Sequence, residues 1–262
     1  MYAFEIERPS TIKDAVAALQ SEGAQALGGG QTLIPTLKAR LAAPEVLISL
    51  TAISEIQGVC LSDDGALCIG AGTTHATVAR EAAKHFPGLA AMASHIGDPA
   101  VRNRGTLGGS LANNDPAACY PAAVLGTGAT IITDKRRIAA DDYFQGMFTT
   151  ALEEGEIITE VRFPIPQKSH YQKFVQPASR FALVGVFVAK YADGVRVAVT
   201  GASEEGVFRW HDAETALGAD FSAKALGGLS VPADNMIGDL HGSPEYRAHL
   251  VGIMTGRAVT AA

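Results

Sequence analysis

Two glycine-rich segments carry most of the chemistry that this sequence could perform. The longer one lies within residues 96–121 and contains Gly105, Gly108 and Gly109 in the run RGTLGGSLANND. The shorter one, ALGGGQTL at residues 26–33, precedes it by about 75 residues and follows an apolar stretch. Glycine lets a backbone turn sharply and approach a ligand closely, and successive N–H groups in such turns bind phosphate-like anions. The two loops together predict a site for the diphosphate of an extended dinucleotide.

Periodicity and capping residues predict the elements that position these loops. Alternation of apolar and polar residues predicts a strand at 2–8, and Thr11 with Asp14 predicts the start of a helix over 12–20. The turn at 62–65 is typical of a hairpin. Further strands are predicted at 24–27, 46–50, 66–69 and 129–133, and further helices at 74–85, at 87–95 and around Pro121.

A domain boundary is predicted where Pro164 and Pro166 interrupt the pattern. Beyond it, strands are predicted at 170–176, 182–191 and 195–200, the last two joined by the hairpin signal Asp193-Gly194. Ser243 followed by Pro244 predicts the start of a final helix. The predicted fold class is α+β, with a domain at 1–166 that holds both glycine loops. A small C-terminal domain at 167–262 follows, with a three-stranded antiparallel sheet and helices.

Composition limits the classes of partner and compartment. Hydrophobic residues make up 47% of the chain and charged residues 18%, which is typical of a compact globular protein. The net charge of −6 argues against nucleic acid, whose binding needs clustered Lys and Arg. The start MYAFEIERP predicts no signal peptide, and the apolar run at 181–189 is about half of what a membrane span needs. We therefore expect a cytoplasmic protein without a membrane span.

Cysteine and histidine usage restricts the redox and metal chemistry of the chain. The three cysteines, Cys60, Cys68 and Cys119, suit reduced thiols better than disulfides. An iron–sulfur cluster needs about four cysteine ligands, so any cluster must belong to a partner chain. The spacing of His75, His85 and His95 fits no zinc site. We expect solvated or capping histidines and no metal site.

One further glycine motif, GAGTTH at residues 70–75, imitates the fingerprint of a Rossmann fold. Its third glycine position is His75, and no acidic residue follows about 20 positions later. Thr73 and Thr74 are therefore predicted to cap a helix. Arg102 and Arg104, just before the longer glycine loop, are predicted either to be solvated or to face a phosphate or an acidic partner.

Four segments in this order resemble the FAD-binding medium subunit of the molybdenum hydroxylases, the group of carbon monoxide dehydrogenase and xanthine dehydrogenase. They are GGGQTLIP at 28–35, IGAGTTHATVA at 69–79, the segment at 96–121 and FVQPASRFALVGV at 174–186. The resemblance implies that the first domain is a two-part FAD-binding domain of the vanillyl-alcohol oxidase (PCMH) type. It also implies an oxidoreductase subunit with non-covalent FAD, which passes electrons from the [2Fe-2S] clusters of a partner to an external acceptor.

The resemblance further implies partners and cofactor contacts. A large subunit would carry the molybdenum cofactor and a small one the [2Fe-2S] clusters, in a dimer of heterotrimers, and the chain alone would turn over no substrate. Cys119 replaces an Asp of better-known members, and Val175 replaces a frequent Lys or Arg, so we expect Asp115 or main-chain groups to hold that end of the cofactor. The predicted cofactor-binding residues are Ala26, Leu27, Gly28, Gly29, Gly30, Gln31, Thr32, Leu33, Ile96, Thr106, Leu107, Gly108, Gly109, Ser110, Asn114, Asp115, Cys119, Ile158 and Val175.

Two alternatives stay open at the level of sequence. A self-contained flavin oxidase of the vanillyl-alcohol oxidase type would share the two-loop fold, but it normally adds a substantial substrate domain. Only about 95 residues follow Pro166 here. A non-catalytic assembly subunit with a vestigial site is the second alternative, and the intact glycine loops argue against it.

Overall fold

The computed structural model describes residues 1–262 as a mixed structure of fourteen strands and ten α-helices. The strands are β1 (Glu5–Glu7), β2 (Ala24–Leu27), β3 (Val46–Ser49), β4 (Val59–Leu61), β5 (Leu67–Gly70), β6 (Thr130–Thr133), β7 (Arg137–Ala139), β8 (Phe144–Gly146), β9 (Thr149–Thr150), β10 (Ile158–Phe163), β11 (Lys168–Val175), β12 (Ala182–Lys190), β13 (Val195–Ser203) and β14 (Gly206–Arg209). The helices are α1 (Ile12–Ala18), α2 (Leu33–Lys38), α3 (His75–Glu81), α4 (Pro87–Ser94), α5 (Pro99–Arg102), α6 (Leu107–Asn113), α7 (Cys119–Thr127), α8 (Ala140–Tyr143), α9 (His211–Ala219) and α10 (Pro244–Ala261).

The strands form three sheets and one small hairpin. A parallel sheet has the order β1-β3-β2, and an antiparallel sheet has the order β4-β5-β10-β6-β7. A second antiparallel sheet has the order β11-β12-β13-β14, and β8 pairs with β9. Both of the first two sheets lie in the N-terminal region. The loop after β2 in the first sheet and the turn after β5 in the second both line the cavity described below.

Local capping signals set several helix starts as the sequence predicted. The Thr11 side chain accepts from the Asp14 N–H at the start of α1, which ends at Ala18, two residues earlier than predicted. The Thr74 side chain accepts from the Thr77 N–H at the start of α3, and Ser243 caps α10 in the same way. These bonds satisfy N–H groups that a helix end leaves without partners.

Helix α7 lies at the centre of the largest apolar core. Every residue of α7 is buried, because the helix packs against strands β12, β13 and β14 and against the helices α4, α6 and α8. Fully burying a side chain such as Val124 stabilises the fold by about 1.5–3 kcal/mol. This core also contains Tyr171, Phe187 and Ala198 from the C-terminal region, so the two regions share buried surface.

The C-terminal region contains a second core between its sheet and α10, centred on residues such as Val186, Val199 and Val251. Its sheet has four strands, where the sequence predicted three, because β14 turns back after Ser203 and pairs with β13. Helix α9 also follows without a predicted counterpart. None of the ten helices combines the length and apolar character that crossing a membrane requires.

Candidate functional site

A cavity of about 660 Å³ runs between the two glycine loops, within the range of about 300–1,000 Å³ that ligand pockets occupy. Most residues that the sequence singled out meet in its wall, although they come from distant parts of the chain. The predicted residues that line the cavity are Ala26, Leu27, Gly28, Gly29, Gly30, Gln31, Thr32, Leu33, Ile96, Thr106, Gly108, Gly109, Ser110, Asp115, Cys119 and Ile158.

The first glycine loop presents free backbone donors to this cavity. It connects β2 to α2, and the N–H groups of residues 29–32 donate to no atom of the protein. Gly30 has a φ of +71°, in the left-handed region that glycine adopts without strain. Consecutive N–H groups around such a residue form a concave site that binds anions. The first loop can therefore hold a diphosphate through its backbone alone.

The second glycine loop uses most of its donors within the fold. The N–H groups of Leu107 and Gly108 donate to the carbonyls of Thr73 and Ala71, at 3.1 and 2.8 Å, and the Gly109 N–H donates to the Thr106 side chain at 3.2 Å. The Thr106 N–H and the Ser110 hydroxyl have no protein partner. This loop therefore offers fewer free groups to a ligand than the first one.

The glycines in both loops are required by contacts within the protein as well as by the cavity. A Cβ on Gly29 would overlap the carbonyl group of Arg104 and lie 2.6 Å from the Gly105 Cα. A Cβ on Gly108 would lie 2.6 Å from the Ala71 Cβ. Real Cβ atoms do not approach other atoms so closely, so a larger residue at Gly29 would separate the two loops, and one at Gly108 would push the second loop away from the turn after β5.

Three predicted site residues do not line the cavity. Leu107 is fully buried in the core. Asn114 is 2% exposed, and its side-chain amide donates to the carbonyls of Gly146 and Thr149, both at 2.8 Å. Val175, the last residue of β11, is exposed.

Ile96, Cys119 and Lys173 form another part of the cavity wall, outside the two glycine loops. The Lys173 ammonium donates to the His95 carbonyl at 3.2 Å and lies 3.5 Å from the Cys119 Sγ. Sequence reasoning missed Lys173, although it lies two residues before Val175 on a strand whose side chains alternate.

Two carboxyl groups, those of Asp115 and Glu156, line the cavity, and their pKa values are shifted in opposite directions. Burial raises the pKa of Asp115, although the Ala117 N–H, which donates to it at 2.8 Å, acts in the opposite direction. Burial also acts to raise the pKa of Glu156, but hydrogen bonds from Arg136, the Glu153 N–H and Thr133 outweigh it and lower the pKa to about 2. Glu156 is thus bonded within the fold, whereas Asp115 has bonding capacity left for a ligand.

His75 corrects the expectation that the histidines are solvated or capping. It is 5% exposed, and its ring lies against Gly105 in the wall of the cavity. Burial, followed by the nearby charge of Arg102, lowers the pKa of His75 to about 4. The ring is therefore neutral at pH 7, and its Nδ1 has no hydrogen-bond partner in the protein.

Neither arginine that precedes the second loop lines the cavity. Arg102 donates to the carbonyls of Ile96 and Gly97, at 2.9 and 3.0 Å, and so holds the backbone beside the cavity. Arg104 is exposed. The arginine that does line the cavity is Arg180, in the turn between β11 and β12.

A cavity lined by two glycine loops, on an α+β scaffold, defines a protein that binds a dinucleotide cofactor. A family model described as the FAD binding domain in molybdopterin dehydrogenase matches residues 2–166. The chain therefore belongs to this family, as the resemblance predicted, and it is an oxidoreductase subunit that binds FAD.

Curated relatives and solved structures extend the similarity to the whole chain. The chain is 36% identical to the nicotine 6-hydroxylase medium subunit of Paenarthrobacter nicotinovorans, over 99% of this chain and 97% of that one. It is 35% identical to the carbon monoxide dehydrogenase medium chain of Afipia carboxidovorans, over 98% and 96%. The fold matches a chain of quinoline 2-oxidoreductase from Pseudomonas putida 86 with a TM-score of 0.88 and 30% identity, over 100% of this chain and 97% of that one.

These comparisons decide between the two flavoprotein interpretations. The relatives are medium subunits of multi-subunit enzymes, and this chain matches nearly their full length. The interpretation as an electron-transferring flavoprotein subunit is confirmed, and the comparisons favour it over a self-contained oxidase of the vanillyl-alcohol oxidase type.

Proposed function

We propose that the chain binds one FAD along the cavity, with the diphosphate on the N–H groups of residues 29–32. The observation that carries this proposal is the set of four consecutive free donors in the wall of the cavity. The Thr106 N–H and the Ser110 hydroxyl are free to add two bonds from the opposite side. The proposed contact residues are the predicted ones that line the cavity, without Leu107, Asn114 and Val175.

The chain's own residues bind and orient the cofactor, whereas FAD supplies the ability to accept and release electrons. Ile96 offers an apolar surface to the ring, and Asp115 offers a carboxylate oxygen to a polar donor of the cofactor. His75 is neutral at pH 7 and adds no charge.

We further propose that this FAD receives electrons from [2Fe-2S] clusters on a small partner and passes them to an external acceptor. A large partner with the molybdenum cofactor would oxidise the substrate. The three cysteines of this chain, one exposed and two buried, are too few to hold such clusters. We propose a dimer of heterotrimers in the cytoplasm, and a division of this chain at residue 166, where the family match ends.

The diphosphate assignment is tested by comparing flavins on the deflavinated chain. FAD and FMN share the ring, but only FAD carries a diphosphate. We expect binding of FAD at a ratio of one per chain and much weaker binding of FMN, measured by quenching of flavin fluorescence. Equal affinities for the two flavins would contradict the diphosphate site, and the absence of any flavin binding would favour the vestigial assembly subunit.

The partner assignment is tested by native purification from the producing cells with metal analysis. We expect molybdenum and iron to accompany the chain, and substrate to reduce the flavin only in that complex. Reduction of the purified single chain by a substrate would support the oxidase interpretation instead.

A further inference from the structure

Lys173 presents a positive charge to the cavity without a carboxylate partner. Its ammonium group is held by the His95 carbonyl at 3.2 Å and lies 3.5 Å from the Cys119 Sγ. No carboxylate oxygen lies within 4.0 Å of Lys173 Nζ. An ammonium group that lines a cavity beside a carbonyl and a thiol keeps most of its charge for whatever occupies that cavity.

The position of Lys173 explains how the chain can lack a basic residue at 175. Alternate side chains of β11 face the same side, so Lys173 follows the buried Tyr171 towards the cavity. The register between β11 and β12 shifts at the end of β11, where Leu183 of β12 has no partner, and Val175 is exposed there and does not line the cavity. Lys173 is therefore the basic residue of this strand that reaches the cofactor site.

Cys119 is the second position at which this chain departs from the pattern that the resemblance implied. A carboxylate at position 119 would stand beside the Lys173 ammonium and form an ion pair with it, which would cancel most of its charge. The thiol of Cys119 is 4% exposed and occupies that place without forming such a pair. The departures at Cys119 and Val175 therefore both affect the surroundings of the Lys173 ammonium group.

We propose that Lys173, held by the His95 carbonyl and Cys119, is the cation that faces the flavin ring and raises the reduction potential of the bound FAD. This inference rests on the proposed function, since it assumes FAD in the cavity with its ring beside Ile96 and Cys119. Reduction adds negative charge to the flavin, so a neighbouring ammonium group stabilises the reduced form more than the oxidised form. Lys173 is half-buried, so water screens this interaction in part.

The main test measures the reduction potential of FAD in the purified flavin-loaded chain. Lys173→Met should weaken the preference for reduced flavin on the order of tenfold, as expected of one partly screened charge, which lowers the potential by about 30 mV. Lys173→Arg should restore most of the potential. The matched control is Lys168→Met, which removes a charge from the exposed start of the same strand and should leave the potential unchanged.

A second arm tests the contact with Cys119. Cys119→Asp should keep FAD bound and lower the potential when Lys173 is present, because the new carboxylate pairs with the ammonium group. In the Lys173→Met background the same change should lower the potential much less, since a buried carboxyl group without a partner stays protonated. The difference between the two backgrounds measures the coupling directly.

Two results would overturn the inference. One is equal potentials for Lys173→Met and Lys168→Met, and the other is an equal effect of Cys119→Asp in both backgrounds. If Lys173→Met fails to fold, Lys173→Gln replaces it with the same criteria. Failure of the wild-type chain to bind FAD would instead overturn the proposed function, so the two failures are distinguishable.

Discussion

The two glycine loops look alike in sequence, but their backbone N–H groups have different roles in the structure. The first leaves the N–H groups of residues 29–32 free towards the cavity, whereas the second donates those of Leu107 and Gly108 to the turn after β5. The same distinction divides two carboxylates in the cavity wall. Asp115 keeps bonding capacity for a ligand, and Glu156 is fully bonded within the fold. A residue in the wall of a site can thus serve the ligand or hold the wall in place, and only its partners show which.

The largest effect is expected at the contact between the two glycine loops, because a substitution there should disturb both cofactor binding and the structure of the cavity wall. In Gly29→Ala the new Cβ would overlap the Arg104 carbonyl group, so the loops must separate. We expect FAD binding to be lost and the free energy of unfolding of the chain without FAD to fall by about 1–3 kcal/mol. Differential scanning fluorimetry and flavin content measure the two effects.

Gly218→Ala serves as the control for Gly29→Ala, because a Cβ at Gly218 in α9 would meet nothing within 4 Å. Its melting temperature and flavin content should stay close to those of the wild type. Full flavin content in Gly29→Ala with an unchanged melting temperature would show that the loops do not meet as described.

Glu156 gives the next largest effect, on stability and its pH dependence. Its pKa in the fold is about 2, below the ordinary value of 4.5, so the carboxylate stabilises the fold above pH 4.5 and this contribution disappears as the pH falls towards 2. Glu156→Gln should therefore lower the free energy of unfolding by about 2–3 kcal/mol at pH 7. Urea unfolding at pH 7 and at pH 3 should show a smaller difference from wild type at the lower pH.

Glu153→Gln is the matched control, since Glu153 is exposed and pairs with Lys135 and Arg136 at the surface. Such pairs contribute about 0–1 kcal/mol. A difference between Glu156→Gln and wild type that does not change with pH would contradict the assigned bonding of Glu156.

Asp115 should affect the cofactor more than the fold. A carboxylate that accepts a hydrogen bond from the cofactor contributes about 1.5–3 kcal/mol, so Asp115→Ala should weaken FAD binding by about 10- to 150-fold. Isothermal titration of the deflavinated chain measures this affinity. Asp63→Ala, at an exposed hairpin turn, should bind FAD as the wild type does; unchanged affinity in both variants would remove Asp115 from the site.

Asn114, unlike Asp115, should affect the stability of the fold more than cofactor binding, and its effect should be the smallest of the four. Its side chain holds the hairpin of β8 and β9 through two hydrogen bonds, and each contributes about 0.5–1.5 kcal/mol. Asn114→Ala should lower the free energy of unfolding by about 1–2 kcal/mol, measured by denaturant titration, with FAD affinity retained. A loss of affinity at unchanged stability would restore Asn114 to the cofactor site, where the sequence placed it.

Much of the fold could be predicted because its signals are local. The caps at Thr11, Thr74 and Ser243 act within three residues of themselves, so the starts of α1, α3 and α10 are visible in the sequence. Strand β14 and helix α9 were missed, since they depend on pairing with β13 and packing against it more than on strong periodicity.

The fold class, the family and the two glycine loops were predictable from the amino-acid sequence, because glycine spacing and helix caps act over a few neighbouring residues. Which N–H donors of those loops stay free depended on the folded structure, since the acceptors for Leu107 and Gly108 lie more than 30 residues earlier in the chain. It also decided that Lys173 rather than Val175 lines the cavity, since Val175 is exposed at the end of β11, where the pairing with β12 shifts its register.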